Sequence, residues 1–141
     1  MLLMYRQWAV DHPVEYALIY SKPIPDYQPP ADVIDPAVQR IPTVVIGFMI
    51  PLWQQGLLRV LPDYDILPAE LKQNFAALRE ATGYSLPVEL LHNVLIIWSR
   101  LHGLIMLEIF GHLHQSIHAL DVLYRFEVST ILKNIGLQPE G

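Results

Sequence analysis

The sequence predicts an all-α protein built as one bundle of helices. Apolar residues recur at spacings of three and four through most of the chain, which is the period of an amphipathic helix. No segment alternates apolar and polar residues as a half-buried strand does, and no internal repeat is present. The length of 141 residues fits a single domain over residues 1–141.

Residues 2–21 predict a helix that is interrupted in the middle. An apolar stripe over residues 4–12 continues through residues 16–20 at helical spacing. Pro13 cannot occupy the interior of an unbroken helix. We therefore expect Pro13 in the first turn of a second, short helix that Asp11 caps.

Five prolines between residues 22 and 40 predict an irregular connection. The next helix is expected from about Pro42 to Leu58, and its apolar residues fall on one face. Pro51 is expected to kink this helix, because a proline inside a helix removes a hydrogen bond and crowds the preceding turn. Gly56 is expected to loosen its end.

Prolines and glycines also delimit the remaining helices. After a further loop, Pro68 is expected to open a helix that ends at Gly83. Pro87 then begins what we expect to be the longest helix, which runs to about Gly111 and is apolar on almost every side. A helix of this kind must be buried on every side, so we expect one side in the core and the other against a second subunit. A last helix is expected over about residues 121–135.

The composition contains more apolar residues than a small domain of this type usually carries. Hydrophobic residues make up 52% of the chain and charged residues 16%, against a typical charged share of about 25%. Part of this surplus should lie in a partner interface or around an internal cavity, since large apolar patches are rarely left in water.

Two apolar stretches raise the question of a membrane. Residues 41–53 contain Pro42 and Pro51 and fall short of the about 20 residues that a span requires. Residues 94–113 contain four ionisable side chains, which are costly in the middle of a bilayer. The first residues lack the basic segment and unbroken apolar run of a signal peptide. We therefore expect no membrane span and take the cytoplasm as the default location.

The charges argue against a nucleic-acid surface. The formal net charge is −5, and the nine Lys and Arg residues are spread singly along the chain. Binding to phosphates needs clustered cations that displace counterions, so we expect no direct DNA contact by this chain. The absence of cysteine excludes disulfides and zinc–thiolate sites from this sequence.

Three sequence pieces, in order and at fitting spacing, resemble a known family. The first is the opening, which reads Tyr5-Arg6-x-Trp8-Ala9-x-x-His12-Pro13-x-x-Tyr16. The second is a signature in the long helix, which reads Trp98-Ser99-Arg100-Leu101-His102-Gly103. The third is a last helix that closes on Gly136-Leu137. Together they resemble the WHG-type C-terminal domain of TetR-family transcriptional regulators over nearly the whole chain.

The resemblance implies a helical domain that binds a small-molecule effector and forms a homodimer. Members of this family also carry an N-terminal helix-turn-helix domain of about fifty residues that enters the major groove. This chain starts on what looks like the family's fifth helix. We therefore expect either a fragment or a natural regulator without its DNA reader, and DNA contact only through that missing domain.

The expected effector pocket is apolar and aromatic. Methionine and aromatic side chains line adaptable apolar pockets, although core packing explains most such sets. Trp98 and His102 lie one helical turn apart, and this imidazole is expected to bond a ligand, a partner helix or a neighbouring carbonyl. The candidate ligand-binding residues are Tyr16, Tyr20, Phe48, Met49, Trp53, Trp98, His102 and Met106.

The expected dimer is symmetric, with the 87–111 and 121–135 helices of both subunits forming a four-helix bundle across a two-fold axis. Small and apolar residues spaced by four form a line on the longer helix, which the twin helix could approach closely. The candidate interface residues are Ser99, Gly103, Leu107, Gly111, Tyr124, Val128 and Ile131.

Metal and catalytic sites have little support in the sequence. His114 and His118 have the spacing that lets two imidazoles share one ion, and Glu108 and His112 are likewise one turn apart. No HExxH motif is present, and an exposed polar corner is the ordinary explanation of such histidines. A phosphate-binding glycine loop, a cysteine and a GxSxG nucleophile are all absent from the sequence, so we expect no enzyme, no catalytic residue and no cofactor.

Two other functions remain open from the residues alone. A stand-alone helical module that only dimerises would have a filled core, whereas an effector domain needs a cavity. A histidine-based metal sensor would respond to zinc or nickel.

Overall fold

The computed structural model describes the backbone of residues 1–20 and 31–137, and the side chains of residues 1–20 and 43–137. These parts of the chain form six α-helices and no strand, which confirms the all-α fold. The helices are α1 (Leu2–Asp11), α2 (Pro13–Tyr20), α3 (Ala31–Gln54), α4 (Ala69–Thr82), α5 (Val88–Ile109) and α6 (Leu120–Asn134).

Helix α5 lies at the centre of the domain and contacts α1, α3, α4 and α6. Its buried side chains recur at spacings of three and four, among them Leu90, Val94, Leu101 and Ile105. Residues at this spacing share one face of a helix, and here that face packs into a single core with side chains of α2, α3 and α6. Each fully buried aliphatic side chain stabilises the fold by roughly 1.5–3 kcal/mol.

Within the described residues, α5 is also the one helix long and apolar enough to cross a membrane by length and composition. Nearly half of its most apolar window is buried inside the domain, and four other helices pack around it. The core helix of a folded domain meets the same criteria, so this finding is weak evidence for a span.

Three prolines begin helices where the sequence predicts, whereas Pro42, expected to begin the third helix, lies inside α3. The break between α1 and α2 falls at His12, and Pro13 is the first residue of α2. Pro68 and Pro87 stand at the N-caps of α4 and α5. These positions need no backbone N–H, which is why proline is tolerated there.

Glycines end the helices through two related capping motifs. At the end of α5, Gly111 N–H donates to the Glu108 carbonyl and His112 N–H to the Leu107 carbonyl, which is the Schellman pattern. The ends of α3 and α6 show the same pair of bonds, while α4 closes with a single bond to the left-handed Gly83. Each motif satisfies carbonyls that the helix leaves unpaired.

Three details of the helix prediction are wrong. Asp11, expected to cap the second helix, is the last residue of α1, and its carboxylate accepts hydrogen bonds from Gln7. Residues 31–40, expected in an irregular connection, are the first turns of α3, and residues 22–30 lie outside the described part. Of the five prolines between residues 22 and 40, only Pro36 lies in the helical residues 31–40. The other four precede residue 31 and therefore do not interrupt α3. As a result α3, with 24 residues, is longer than α5, with 22. The structure also ends α3 at Gln54 instead of Leu58.

The loop between α3 and α4 is held to the core by polar side chains. The Arg59 guanidinium donates to the carbonyls of Lys133 and Asn134 at the C-terminal end of α6, where a cation complements the helix dipole. The buried Asn93 of α5 has one satisfying amide orientation, in which its oxygen accepts from Leu61 N–H at 2.7 Å. The Arg59 bonds fix the loop against the C-terminal end of α6, and the Asn93 bond fixes the loop against α5.

Candidate functional site

A first cavity of about 250 Å³ lies among α1, α3 and α5. Its wall is almost wholly apolar. The cavity is partly open to solvent, and its apolar wall favours an apolar ligand that displaces water from it. The described residues that line it are Met1, Leu2, Tyr5, Val44, Val45, Val94, Ile97, Trp98 and Leu101.

A second cavity of about 280 Å³ lies among α3, α4 and α5. It shares Val45, Val94 and Trp98 with the first cavity, so these three side chains form a common wall. The second cavity is also apolar, with some polar surface. The described residues that line it are Val45, Ile46, Phe75, Leu78, Thr82, Tyr84, Leu91, Val94, Leu95 and Trp98.

The side chain of Trp98 is held by the residue one turn later in α5. Its indole stacks on the His102 ring with centroids 4.7 Å apart and an interplanar angle of 19°. The i, i+4 spacing in a helix is what brings the two rings together. The indole Nε1 is buried and has no hydrogen-bond partner among the described residues, which is unusual because buried donors are nearly always paired.

His102 lies at the centre of a small hydrogen-bond network with two tyrosine hydroxyls. Its Nδ1 lies 2.6 Å from the Tyr16 hydroxyl and 3.0 Å from the Tyr5 hydroxyl, and the two hydroxyls are 3.1 Å apart. Tyr20 packs its ring against both His102 and Tyr16, with centroids 4.7 Å apart in each case. The network joins α1, α2 and α5 directly behind Trp98.

Burial keeps this network uncharged. Desolvation lowers the pKa of the His102 imidazole below its usual value, which favours the neutral ring. Desolvation likewise raises the pKa of Tyr16 to about 12, and it raises the pKa of Tyr5, with a further rise from the hydrogen bond to Tyr16. Neutral phenols donate and a neutral imidazole nitrogen accepts, so the short distance to Tyr16 fits an O–H donated to Nδ1.

A buried ion pair joins α1 to the two C-terminal helices. The Arg6 guanidinium donates to both carboxylate oxygens of Glu108, at 2.8 and 2.5 Å, and to Asp121 at 2.9 Å. It also lies 5.8 Å from the centre of the Tyr124 ring. The hydrogen bond to Glu108 raises the pKa of Arg6. The Arg6 of the opening motif therefore fixes α1 against α5 and α6, one residue away from the Tyr5 that lines the first cavity.

The predicted ligand-binding residues fall into two groups in the structure. Tyr16, Tyr20, Trp98 and His102 form one connected cluster, and of all eight candidates Trp98 alone lines the two cavities. The other four lie elsewhere around α3 and α5. Phe48 is 61% exposed, Met49 is buried in the core, and Trp53 and Met106 pack against the core.

The predicted dimer residues also divide. Ser99, Leu107 and Gly111 are exposed, and an added Cβ at the half-buried Gly103 would meet no atom within 4 Å. Tyr124, Val128 and Ile131 are instead buried within the subunit. The exposed apolar side chains of α6 are its outward residues Val122 and Phe126, both 64% exposed.

Sequence reasoning missed most of the cavity wall. Tyr5 entered it as part of a motif, yet its ring lines the first cavity while its hydroxyl reaches His102. Val45 and Val94 form the common wall, and aliphatic residues of this kind are indistinguishable from core residues in a sequence. A helical pattern identifies an inward face but not the places where packing is incomplete.

The candidate metal ligands are not part of a larger cluster in the described structure. Among the side chains of residues 1–20 and 43–137, no group of three or more His, Asp or Glu could hold a metal ion. Glu108, which the sequence pairs with His112, is engaged by Arg6 instead.

Comparison with known proteins gives consistent matches. A family model described as "Tetracyclin repressor-like, C-terminal domain" matches residues 1–131. Three similar curated relatives are named HTH-type transcriptional regulators: Mb1846 of Mycobacterium bovis, and MT1864 and Rv1816 of two Mycobacterium tuberculosis strains. Each is 27% identical over 108 residues, which cover 75% of this chain and 44% of the relative. The matched part is therefore less than half of each relative's length.

Proposed function

The chain belongs to the tetracyclin repressor-like C-terminal domain family, and from this premise we propose that it is the effector-binding and dimerisation domain of a transcriptional regulator. The effector is an uncharged apolar or aromatic small molecule that binds between the helices. DNA is contacted through a helix-turn-helix domain and not through the surface of this chain, and the regulator acts in the cytoplasm.

The pair of cavities beside Trp98 is the observation that carries the effector role. A domain that only dimerises gains nothing from apolar concave surface away from its interface, because apolar surface left in contact with water costs about 25 cal/mol per Å². An apolar cavity lined by aromatic and aliphatic side chains is the usual form of a small-molecule site. The absence of Lys, Arg and His among the described lining residues supports an uncharged occupant.

The outer faces of α5 and α6 support the dimer. Leu107 of α5 and Phe126 of α6 are exposed large apolar side chains, Ser99 is exposed, and an added Cβ at Gly103 would meet no atom within 4 Å. Arg100 reaches Glu127 at 2.5 Å and ties the two helices together. A second copy related by a two-fold axis would cover the same surface on both subunits.

Helix α5 connects the two parts of the proposal. One side of it lines both cavities and another side carries the proposed dimer surface. Occupation of the cavities would therefore favour one of two dimer geometries if the ligand binds them with different affinity. The Arg6 ion pair moves α1 together with α5 and α6, so a shift beside Tyr5 is passed to the helices of the dimer.

Ligand binding is tested by thermal unfolding with a panel of uncharged apolar compounds. A compound that binds only the folded state stabilises it by about 2.7 kcal/mol at one hundred times its Kd, and the melting temperature rises accordingly. The response should shrink in Trp98→Phe, which changes the common wall. It should persist in Trp8→Phe, which alters a tryptophan that lines neither cavity. No shift with any compound would contradict the effector role and leave the dimerisation module as the explanation.

Dimerisation is tested by sedimentation of the unmodified chain at micromolar concentration. Leu107→Lys should give monomers, because a charge in the centre of an apolar interface would be buried without a partner. Leu18→Lys is the matched control, since Leu18 is an exposed leucine of α2 outside the proposed surface. A monomeric unmodified chain, or equal dissociation by both variants, would contradict the proposed interface.

A further inference from the structure

The two cavities are separated by a thin wall of side chains. Val45, Val94 and Trp98 line both of them, so no further layer of residues stands between the two spaces at these positions. Trp98 is the largest of the three, and it stands one helical turn after Val94 on α5. A path from one cavity to the other therefore passes one of these three side chains, and the Trp98 indole contributes most of the bulk of the wall.

Each cavity alone is small for a regulator's ligand. A cavity of about 150 Å³ is filled by benzene, and each of these cavities is less than twice that size. Together they amount to roughly 500 Å³, which lies within the about 300–1,000 Å³ of pockets for drug-sized ligands. An apolar molecule much larger than one ring therefore needs both spaces if it is to be buried along its whole length.

In its observed position, the Trp98 side chain has a hydrogen-bond donor that is unpaired. The ring gains its stacking contact with His102, but its buried Nε1–H has no acceptor among the residues that the structure describes. An unpaired buried donor is unfavourable, so a displaced indole that finds an acceptor recovers part of what it loses in stacking. The Trp98 indole is therefore easier to displace than a core side chain whose hydrogen-bonding groups are all paired.

The two ends of the combined space differ in polarity. The first cavity exposes almost no polar atom. The second cavity is lined by Thr82, whose hydroxyl donates to the Leu78 carbonyl at 2.7 Å, and by Tyr84, whose hydroxyl lies 3.1 Å from Thr43 Oγ1. A hydroxyl that already donates can still accept a hydrogen bond. A ligand with one hydroxyl head and an apolar chain matches this gradient, whereas no described lining residue offers a cation to a carboxylate.

We propose that one elongated, uncharged amphiphile occupies both cavities at once, with its hydroxyl head in the second cavity beside Thr82 and Tyr84, its apolar chain in the first, and Trp98 displaced from between them. This proposal rests on the effector role proposed above. It specifies the chemical class of the effector and the side chain that must move. A short alcohol, by contrast, fits each cavity separately without moving the indole.

Calorimetric titration with decanol and hexanol tests the proposal. The unmodified chain should bind one decanol but two hexanol molecules. Val44→Trp narrows only the first cavity and Leu78→Trp only the second, and both positions are about half exposed, so larger side chains are accommodated at the rim. Each variant should weaken decanol binding at least tenfold and reduce hexanol binding to one molecule. Val14→Trp and Leu71→Trp, at exposed positions that line neither cavity, should behave as the unmodified chain.

The outcomes separate the two proposals. Two decanol molecules per chain, or loss of decanol binding in only one of the two cavity variants, would overturn the joined site while leaving the effector role in place. If the unmodified chain binds neither alcohol, the joined site for an aliphatic amphiphile is overturned, whereas the effector role is overturned only if the whole panel of apolar compounds also leaves the melting temperature unchanged.

Discussion

Replacing Arg6 by alanine tests how the N-terminal helix is held to the domain. The guanidinium makes three hydrogen bonds to Glu108 and Asp121, and its side chain is only 11% exposed. The variant would leave the Glu108 carboxylate, itself 13% exposed, without its cation. A buried charge that loses its partner keeps its desolvation penalty and loses the compensating attraction.

The expected size of the effect follows from these exposures. Removing one partner of a buried pair costs about 3–5 kcal/mol. Asp121 is half exposed and solvated, so loss of the Arg6–Asp121 pair adds little to this cost, as is usual for surface pairs. We expect Arg6→Ala to lower the free energy of unfolding by about 3 kcal/mol. With a urea slope near 2 kcal/mol/M, the midpoint falls by about 1.5 M.

Urea unfolding at a fixed chain concentration, followed by far-UV circular dichroism, measures the change. Arg125→Ala is the control, because it breaks the exposed Arg125–Asp121 pair, which contributes about 0.3–0.5 kcal/mol. The double variant Arg6→Met with Glu108→Met should recover most of the loss, since no uncompensated charge remains. If Arg6→Ala and Arg125→Ala shift the midpoint equally, the ion pair does not hold α1 in the way described.

Three further changes have defined expected results. Ile105→Ala removes a fully buried side chain of α5 and should cost about 2–5 kcal/mol in urea unfolding, and a loss below 1 kcal/mol would place Ile105 outside the core. Gly136→Ala should destabilise more than Gly83→Ala, because both glycines have positive φ but only at Gly136 would the added Cβ collide, 2.7 Å from a backbone carbonyl oxygen; equal losses would contradict this. Burial lowers the pKa of His102, so the unfolded chain takes up a proton first as the pH falls. The stability that the buried, neutral His102 contributes is therefore fully present above the pKa of the unfolded chain, about 6.5. It is lost as the pH falls from there through the lower pKa of the folded state. Urea midpoints between pH 8 and 5 should fall less steeply in His102→Gln than in the unmodified chain, and parallel profiles would refute the assignment.

Much of the fold follows from local sequence signals. Pro13, Pro68 and Pro87 mark helix starts because the first turn of a helix needs no N–H from its first residues, and Gly83 marks an end because glycine accepts a left-handed conformation. The early start of α3 was missed because a dense group of prolines predicts a loop without showing where that loop stops.

The site was predictable only in part, because helical periodicity identifies the apolar face of a helix but not what that face packs against. The i, i+4 spacing of Trp98 and His102 correctly indicates that the rings meet. Phe48 belongs to an apolar stripe yet faces outward, and Tyr124 was assigned to a partner surface yet is buried in its own subunit. Which apolar residues face a cavity depends on how four helices pack together, and only the tertiary structure contains that information.

The distance between two labelled subunits, measured with and without ligand, tests the central claim most directly. The chain has no cysteine, so Glu15→Cys on the exposed side of α2 accepts a single spin label per subunit away from the cavities and from the proposed interface. Pulsed electron paramagnetic resonance should show one defined distance between the labels of a dimer, and saturating decanol should shift it to a second value. A sample with no dipolar coupling, or a distance that stays the same when the ligand is bound, would contradict an effector domain that acts through its dimer geometry.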